Sequence, residues 1–318
     1  MNEQVVDEVK DLNFSNMDQK KQDRKLFSSI GVALTVLVLL VLVLETVFST
    51  VVELINPELW KLPWISYLMI VVGFYITAFP VFCILMKKIP NSPKGEPKTM
   101  KIGKVISLFI IGMATLYIFN LASLILNYVI GLLKGSTVVN PFAAAVGASN
   151  VFFTFLMVGI LAPIIEEIIF RGVLLDKLRL YGDKVAIWVT AIAFGLFHLN
   201  TSQSIYATAL GVLLAYVALK TNRIKYCIIL HMAINIMGSV IAPLLSAAGY
   251  LSAVGAMVIF FIIAGIILFM LMKKNPIVEE DGEEVVIQNV SKAVVFGNPG
   301  MISYIGICLV IIVIMTLS

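Results

Sequence analysis

The chain has 318 residues, 60% of them hydrophobic and 13% charged, with a net charge of +4 and a mean hydropathy of +1.01. A water-soluble domain of this length cannot cover its surface with so few charges, so the composition points to a polytopic protein of the lipid bilayer. The small positive charge sits at the ends of apolar runs rather than along a stripe, which argues against a nucleic-acid partner.

Residues 1–26 are polar and end in Lys20, Lys21, Arg24 and Lys25, as expected of a short cytoplasmic tail. No cleavable signal sequence is expected, because the first apolar run begins late and is too long for a signal core. Apolar runs then occupy 27–54, 63–86, 103–133, 150–179, 184–199, 203–220, 224–245, 251–272 and 300–317. Helices are the expected form, since a helix satisfies its own backbone where water is absent. The period-2 alternation of a membrane barrel does not occur. The expected fold is therefore all-α: a polytopic transmembrane bundle with an eight-helix core over 27–272 and a ninth, appended C-terminal helix over 300–318. Between them, 273–299 contains "EEDGEE" at Glu279 to Glu284 and reads as a solvated, acidic cytoplasmic linker. Cys83, Cys227 and Cys308 fall in or beside separate runs without metal spacing and read as small buried hydrophobes.

Orientation follows the basic residues of short loops. Lys87, Lys88, Lys94, Lys98, Lys101 and Lys104 crowd the second loop, Lys177, Arg179 and Lys184 the fourth, Lys220, Arg223 and Lys225 the sixth, and Lys273 and Lys274 the eighth. The odd loops carry chiefly Lys61 and Lys134. A cytoplasmic amino terminus and an outside carboxyl terminus follow.

The fourth run contains "APIIEEIIFR", with Glu166, Glu167 and Arg171 inside an otherwise apolar span. Ionisable groups at membrane depth are costly and mark functional paths. Glu167 and Arg171, four apart, can pair on one helix face, while Glu166 points about 100° away. The turn at Gly182 follows Glu166 by 16 residues and precedes His198 by 16. Both should thus lie about 24 Å from that turn on antiparallel helices. His198 and His231 are the only histidines, and Phe194 shares a face with the first and Asn235 with the second. An imidazole and an amide on one face can hold an oxyanion, or the amide can simply bridge helices. Pro163 removes a backbone hydrogen bond one turn before the glutamates. Ala207, Gly211 and Ala215 read as a packing ridge. Ser202 and Ser204 fall in "NTSQS", read as an outside loop without the acid partner that a serine nucleophile needs.

"EEIIFR" at 166–171, "FGLFH" at 194–198 and "HMAIN" at 231–235 resemble, in this order, the three motifs of the CAAX protease and bacteriocin-processing family of intramembrane proteases, which includes the type II CAAX prenyl endopeptidases. The resemblance covers about residues 150–240 and all three motifs match. It implies an intramembrane endopeptidase that hydrolyses a peptide bond in a peptide or membrane-protein substrate arriving from the bilayer or its cytoplasmic side. Glu166 would be catalytic with His198 as its partner in activating water, Glu167 and Arg171 would order the fourth helix, and His231 and Asn235 would bind the scissile carbonyl oxygen. A zinc version would use Glu166, His198 and His231 as ligands, an acceptable three-ligand set. By the same analogy the location would be a bacterial plasma membrane. The alternatives are a proton- or ion-coupled transporter and a non-catalytic immunity or binding protein, either using the same buried polar cluster.

Overall fold

The computed structural model describes residues 3–62, 64–140, 150–272, 277–278 and 288–317. Among them there is helix but no strand. Helix α1 runs over Glu3–Ile55, α2 over Ile65–Lys87, α3 over Ile102–Lys134, α4 over Val151–Tyr181, α5 over Asp183–Phe197 and α6 over Thr201–Thr221. Helix α7 spans Ile224–Ala247, α8 Leu251–Met272, the short α9 Lys292–Phe296 and α10 Pro299–Leu317. Eight of these are long and apolar enough to cross a membrane, so the all-α polytopic bundle holds. The span expected at 184–199 is the exception: α5 has 15 residues, which reach only about 22 Å. It stops at His198, folds back through Leu199 and packs antiparallel to α6.

That return is tight. Leu199 adopts a left-handed φ of 55°, unusual for a branched residue. Asn200 then caps α6, accepting from the Gln203 amide at 2.9 Å while its own side chain donates to the His198 carbonyl at 2.7 Å. "NTSQS" is therefore the first turn of a helix rather than an outside loop, and Ser202 is buried there against Asn127. Its hydroxyl accepts from the Asn127 amide at 2.8 Å, so it is a packing group.

Four stretches of widened, π-type turns interrupt the long helices: Val71–Ala78, Thr154–Leu161, Ile168–Leu174 and Met237–Ile241. Three of them end two residues before a proline, Pro80, Pro163 and Pro243. A proline ring collides with the carbonyl four residues back and offers no N–H. Widening the turn moves that carbonyl aside without breaking the helix.

The loops rich in lysine and arginine gather at one end of the bundle. The segment from Lys88 to Lys101 lies across the ends of α4 and α6, with Ser92 N donating to the Asp176 carbonyl at 2.8 Å and Lys98 N to the Thr221 carbonyl at 2.8 Å. Lys177 donates to the Ile89 carbonyl at 2.6 Å and Arg179 to Asn222 at 2.6 Å. Asp23, buried in α1, accepts from Tyr181 and Gln288, each at 2.9 Å. Two expectations change here. Part of the expected tail continues α1 and packs, and residues 288–298 of the expected linker lie against the bundle rather than in solvent, with Val294, Val295 and Asn298 buried. The acidic run Glu279 to Glu284 lies outside the described residues. Lys134 and Thr201 both meet Thr316 at the opposite end.

Helix α10 is an integral part of the bundle, not an appendage. It crosses α1 where Gly31 meets Gly300; a Cβ on Gly300 would sit 2.7 Å from the Ser28 carbonyl carbon. Ser28 Oγ accepts from Gly300 N at 3.1 Å, and the buried Tyr304 donates to the Ala193 carbonyl of α5 at 2.6 Å. Cys227 and Cys308 are buried and Cys83 half-buried, all as free thiols.

Candidate active site

Helices α4, α5 and α7 bring the three motifs together. Glu167 and Arg171, four residues apart on α4, form an ion pair at 2.8 Å with both side chains fully buried. The guanidinium also donates to the Gly211 carbonyl at 3.2 Å and lies 4.5 Å from the Phe194 ring centroid, so one cation ties α4 to α6 and α5. Gly211 is glycine for a reason: a Cβ there would lie 3.0 Å from the Ala191 Cα. With Ala207 and Ala215 buried beside it, the expected packing ridge is present.

From α7, His231 reaches across to α4 and its Nδ1 donates to the same Glu167 oxygen at 2.8 Å. Its Nε2 then lies 3.7 Å from Glu166 Oε2. His198, at the end of α5, uses Nδ1 to donate to the Phe194 carbonyl at 2.9 Å. In the neutral rings these bonds assign the proton to Nδ1 and leave the Nε2 lone pair of each histidine free to accept. Phe194 fixes both imidazoles, meeting His198 and His231 edge-on at 5.0 and 5.7 Å between ring centroids. Asn235 donates at 3.0 Å to the Val158 carbonyl. Proline accounts for that bond, since Val158 lies in the widened turn and its partner five residues on would be Pro163, which has no N–H.

Glu166, His198, His231 and Asn235 line a cavity of about 700 Å³. Glu167 and Arg171 stand behind it. The two adjacent carboxylates thus differ as the helical repeat predicts: the Glu167 side chain is 0% exposed and Glu166 14%. The cavity extends past Tyr67, Asn140 and Pro243, which lie toward the bundle end remote from the basic loops.

Several lining groups escaped the sequence reading. Glu45 on α1, Asn120 on α3, Tyr75 on α2 and Gln203 and Tyr206 on α6 all face this space. Glu45 had a visible signal, an acid within "VLVLETVFS" in the first apolar run. The others carry no spacing pattern relative to the histidines, and only the fold brings them to the cavity.

The zinc version can be tested against the donors present. Both histidines have Nδ1 held by an oxygen and Nε2 available, as metal-bound imidazoles do. Yet among the described residues no three His, Cys, Asp or Glu side chains are gathered closely enough to hold an ion. The set Glu166, His198 and His231 does not fit a metal in this arrangement, and no step below passes through one.

Fold and site together define a polytopic helical membrane protein with a cavity lined by Glu166, His198 and His231 and backed by the buried Glu167–Arg171 pair. The family model of the Rce1-like type II CAAX prenyl endopeptidases matches residues 148–237, the segment that holds all three motifs. This is the resemblance read from the motifs, and it supports a CAAX-type intramembrane endopeptidase in general terms. No curated protein and no solved structure gives a significant match.

Proposed function

We propose that the protein is an intramembrane endopeptidase in which Glu166 acts as general base. The observation that carries this reading is the division of labour between adjacent carboxylates. Glu167 is consumed by Arg171 and His231, whereas Glu166 faces the cavity and, among the described residues, has no lysine or arginine paired with it, only the His231 ring at 3.7 Å. A water between Glu166 and His198 can donate one proton to the carboxylate and the other to the free Nε2, turning its lone pair toward a peptide carbonyl. As the C–O bond forms, Glu166 takes the proton. It returns that proton to the leaving amine as the C–N bond breaks.

Asn235 keeps one amide proton beyond the bond to Val158 and can direct it at the developing oxyanion. His231 adds a second donor from Nε2 when its ring carries both protons, with Nδ1 still bound to Glu167. The transporter alternative finds less support: the family match favours hydrolysis, and nothing in the sequence suggests paired repeats with broken helices.

Cleavage of a quenched peptide library by the purified, detergent-solubilised protein tests this. Glu166→Gln and His198→Ala, each folded, are expected to lower turnover by about 10²–10⁴-fold, with metal content equal to that of the wild type. Loss of activity that tracks loss of one bound zinc per chain would assign the reaction to a metal instead. Full activity in both variants would remove this cavity from the chemistry.

A further inference from the structure

Glu45 is the second carboxylate of the cavity, and the hydrolytic step makes no use of it. It stands ten residues before the end of α1 and 17 residues beyond Ser28, or about 26 Å along the helix from the basic end. That is close to the depth of Glu166. Its side chain is half-buried and faces the cavity. Among the described residues no hydrogen-bond donor or cation is paired with it. Arg171, the buried cation nearest the chemistry, is committed to Glu167, Gly211 and Phe194. Among the described lining residues there is no lysine or arginine.

An acid at membrane depth is expensive unless it finds a cation or water. Here it has neither a built-in cation nor a structural bond to maintain, and it opens onto the space where a substrate would lie. We infer that Glu45 is a recognition group for a positively charged side chain, lysine or arginine, of the peptide bound in the cavity.

The neighbouring wall fits such a side chain. Tyr67, Tyr75 and Phe74 line the cavity with Glu45 and give aromatic and apolar surface to the methylene stem of such a side chain. Asn120 brings an amide group to the same space for the peptide backbone. With two carboxylates and no lysine or arginine in the described lining, the cavity attracts positive charge. The inference rests on the cavity being the substrate site of the proposed peptidase.

Binding, rather than turnover, separates the two ideas. A set of fluorescent, neutral apolar peptides, each with one lysine moved along its length and each paired with its acetyl-lysine twin, is titrated onto full-length Glu166→Gln in lipid nanodiscs. For the best lysine position, at least tenfold tighter binding than for the acetylated twin is expected, equivalent to about 1.4 kcal/mol. The preference should vanish in Glu166→Gln/Glu45→Gln. It should persist in part in Glu166→Gln/Glu45→Asp, which keeps the charge and exposes any mere folding defect. Equal affinity for every pair of twins, a preference that survives Glu45→Gln, or no binding at all would overturn the assignment. The peptidase reading stands or falls separately, on Glu166-dependent cleavage.

Discussion

A single Glu167 oxygen accepts from both Arg171 and His231, so three charged or polar groups on two helices share one atom. Removing one member of a buried ion pair leaves the other charge uncompensated, which costs about 3–5 kcal/mol. Arg171→Met should accordingly produce a large fall in thermal midpoint in detergent. The double variant Glu167→Gln/Arg171→Met should recover most of that loss while cleavage stays low, because the guanidinium no longer ties α4 to the Gly211 carbonyl. A double variant as unstable as the single one would mean that lost packing, not the stranded carboxylate, dominates. The Glu167–Arg171 pair was legible from spacing alone, since four residues is one helical turn. The bond from His231 to Glu167 was not, because it joins residues 64 apart in the chain on separate helices and depends on how α7 leans on α4. The resemblance had assigned His231 to the scissile carbonyl, and the structure adds that its Nδ1 is already occupied.

The widened turns show how helix geometry and site chemistry meet at the scale of one element. In α4 the turn before Pro163 frees the Val158 carbonyl, and Asn235 of α7 takes it, which fixes the amide at the cavity wall. Pro163→Ala restores an N–H that can compete for that carbonyl. The expected result is a thermal midpoint unchanged or higher together with cleavage lowered by about ten- to a hundredfold, since small displacements of a positioned group are costly in rate. Unchanged cleavage would show that Asn235 does not need this anchor. Pro163 was visible in the sequence as a loosened turn. The widened turn itself was not, because π turns arise from the conflict between a ring and a carbonyl inside a helix that tertiary packing keeps intact. Helix α5 was placed within two residues but counted as a span: with 15 residues it is too short for one, and no glycine or proline marks the reversal after His198.

At the scale of the molecule, the basic loops of the sequence analysis meet at one end, bonded to one another through Asp176, Thr221, Asn222 and Ile89. Hydropathy and loop charge made the bundle and its two ends readable, because lipid imposes both patterns on the chain. The contacts between loops were not readable, since they are made by backbone groups that every residue carries. If the basic end is cytoplasmic, a cysteine-free background carrying Glu58→Cys in intact cells should react with an impermeant maleimide. Lys88→Cys should react only after permeabilisation. The reverse pattern would invert the topology, and with it the side from which the cavity past Tyr67 and Pro243 is reached. The crossing of Gly31 with Gly300 bears on how such a bundle is made. Helix α1 leaves the ribosome before α10, and this partner cannot be offered to it until every helix between them has been synthesised. Until then the Gly31 face of α1 meets lipid or a chaperone, so assembly is timed by the chain itself, and a helix inserted late locks an earlier one in place.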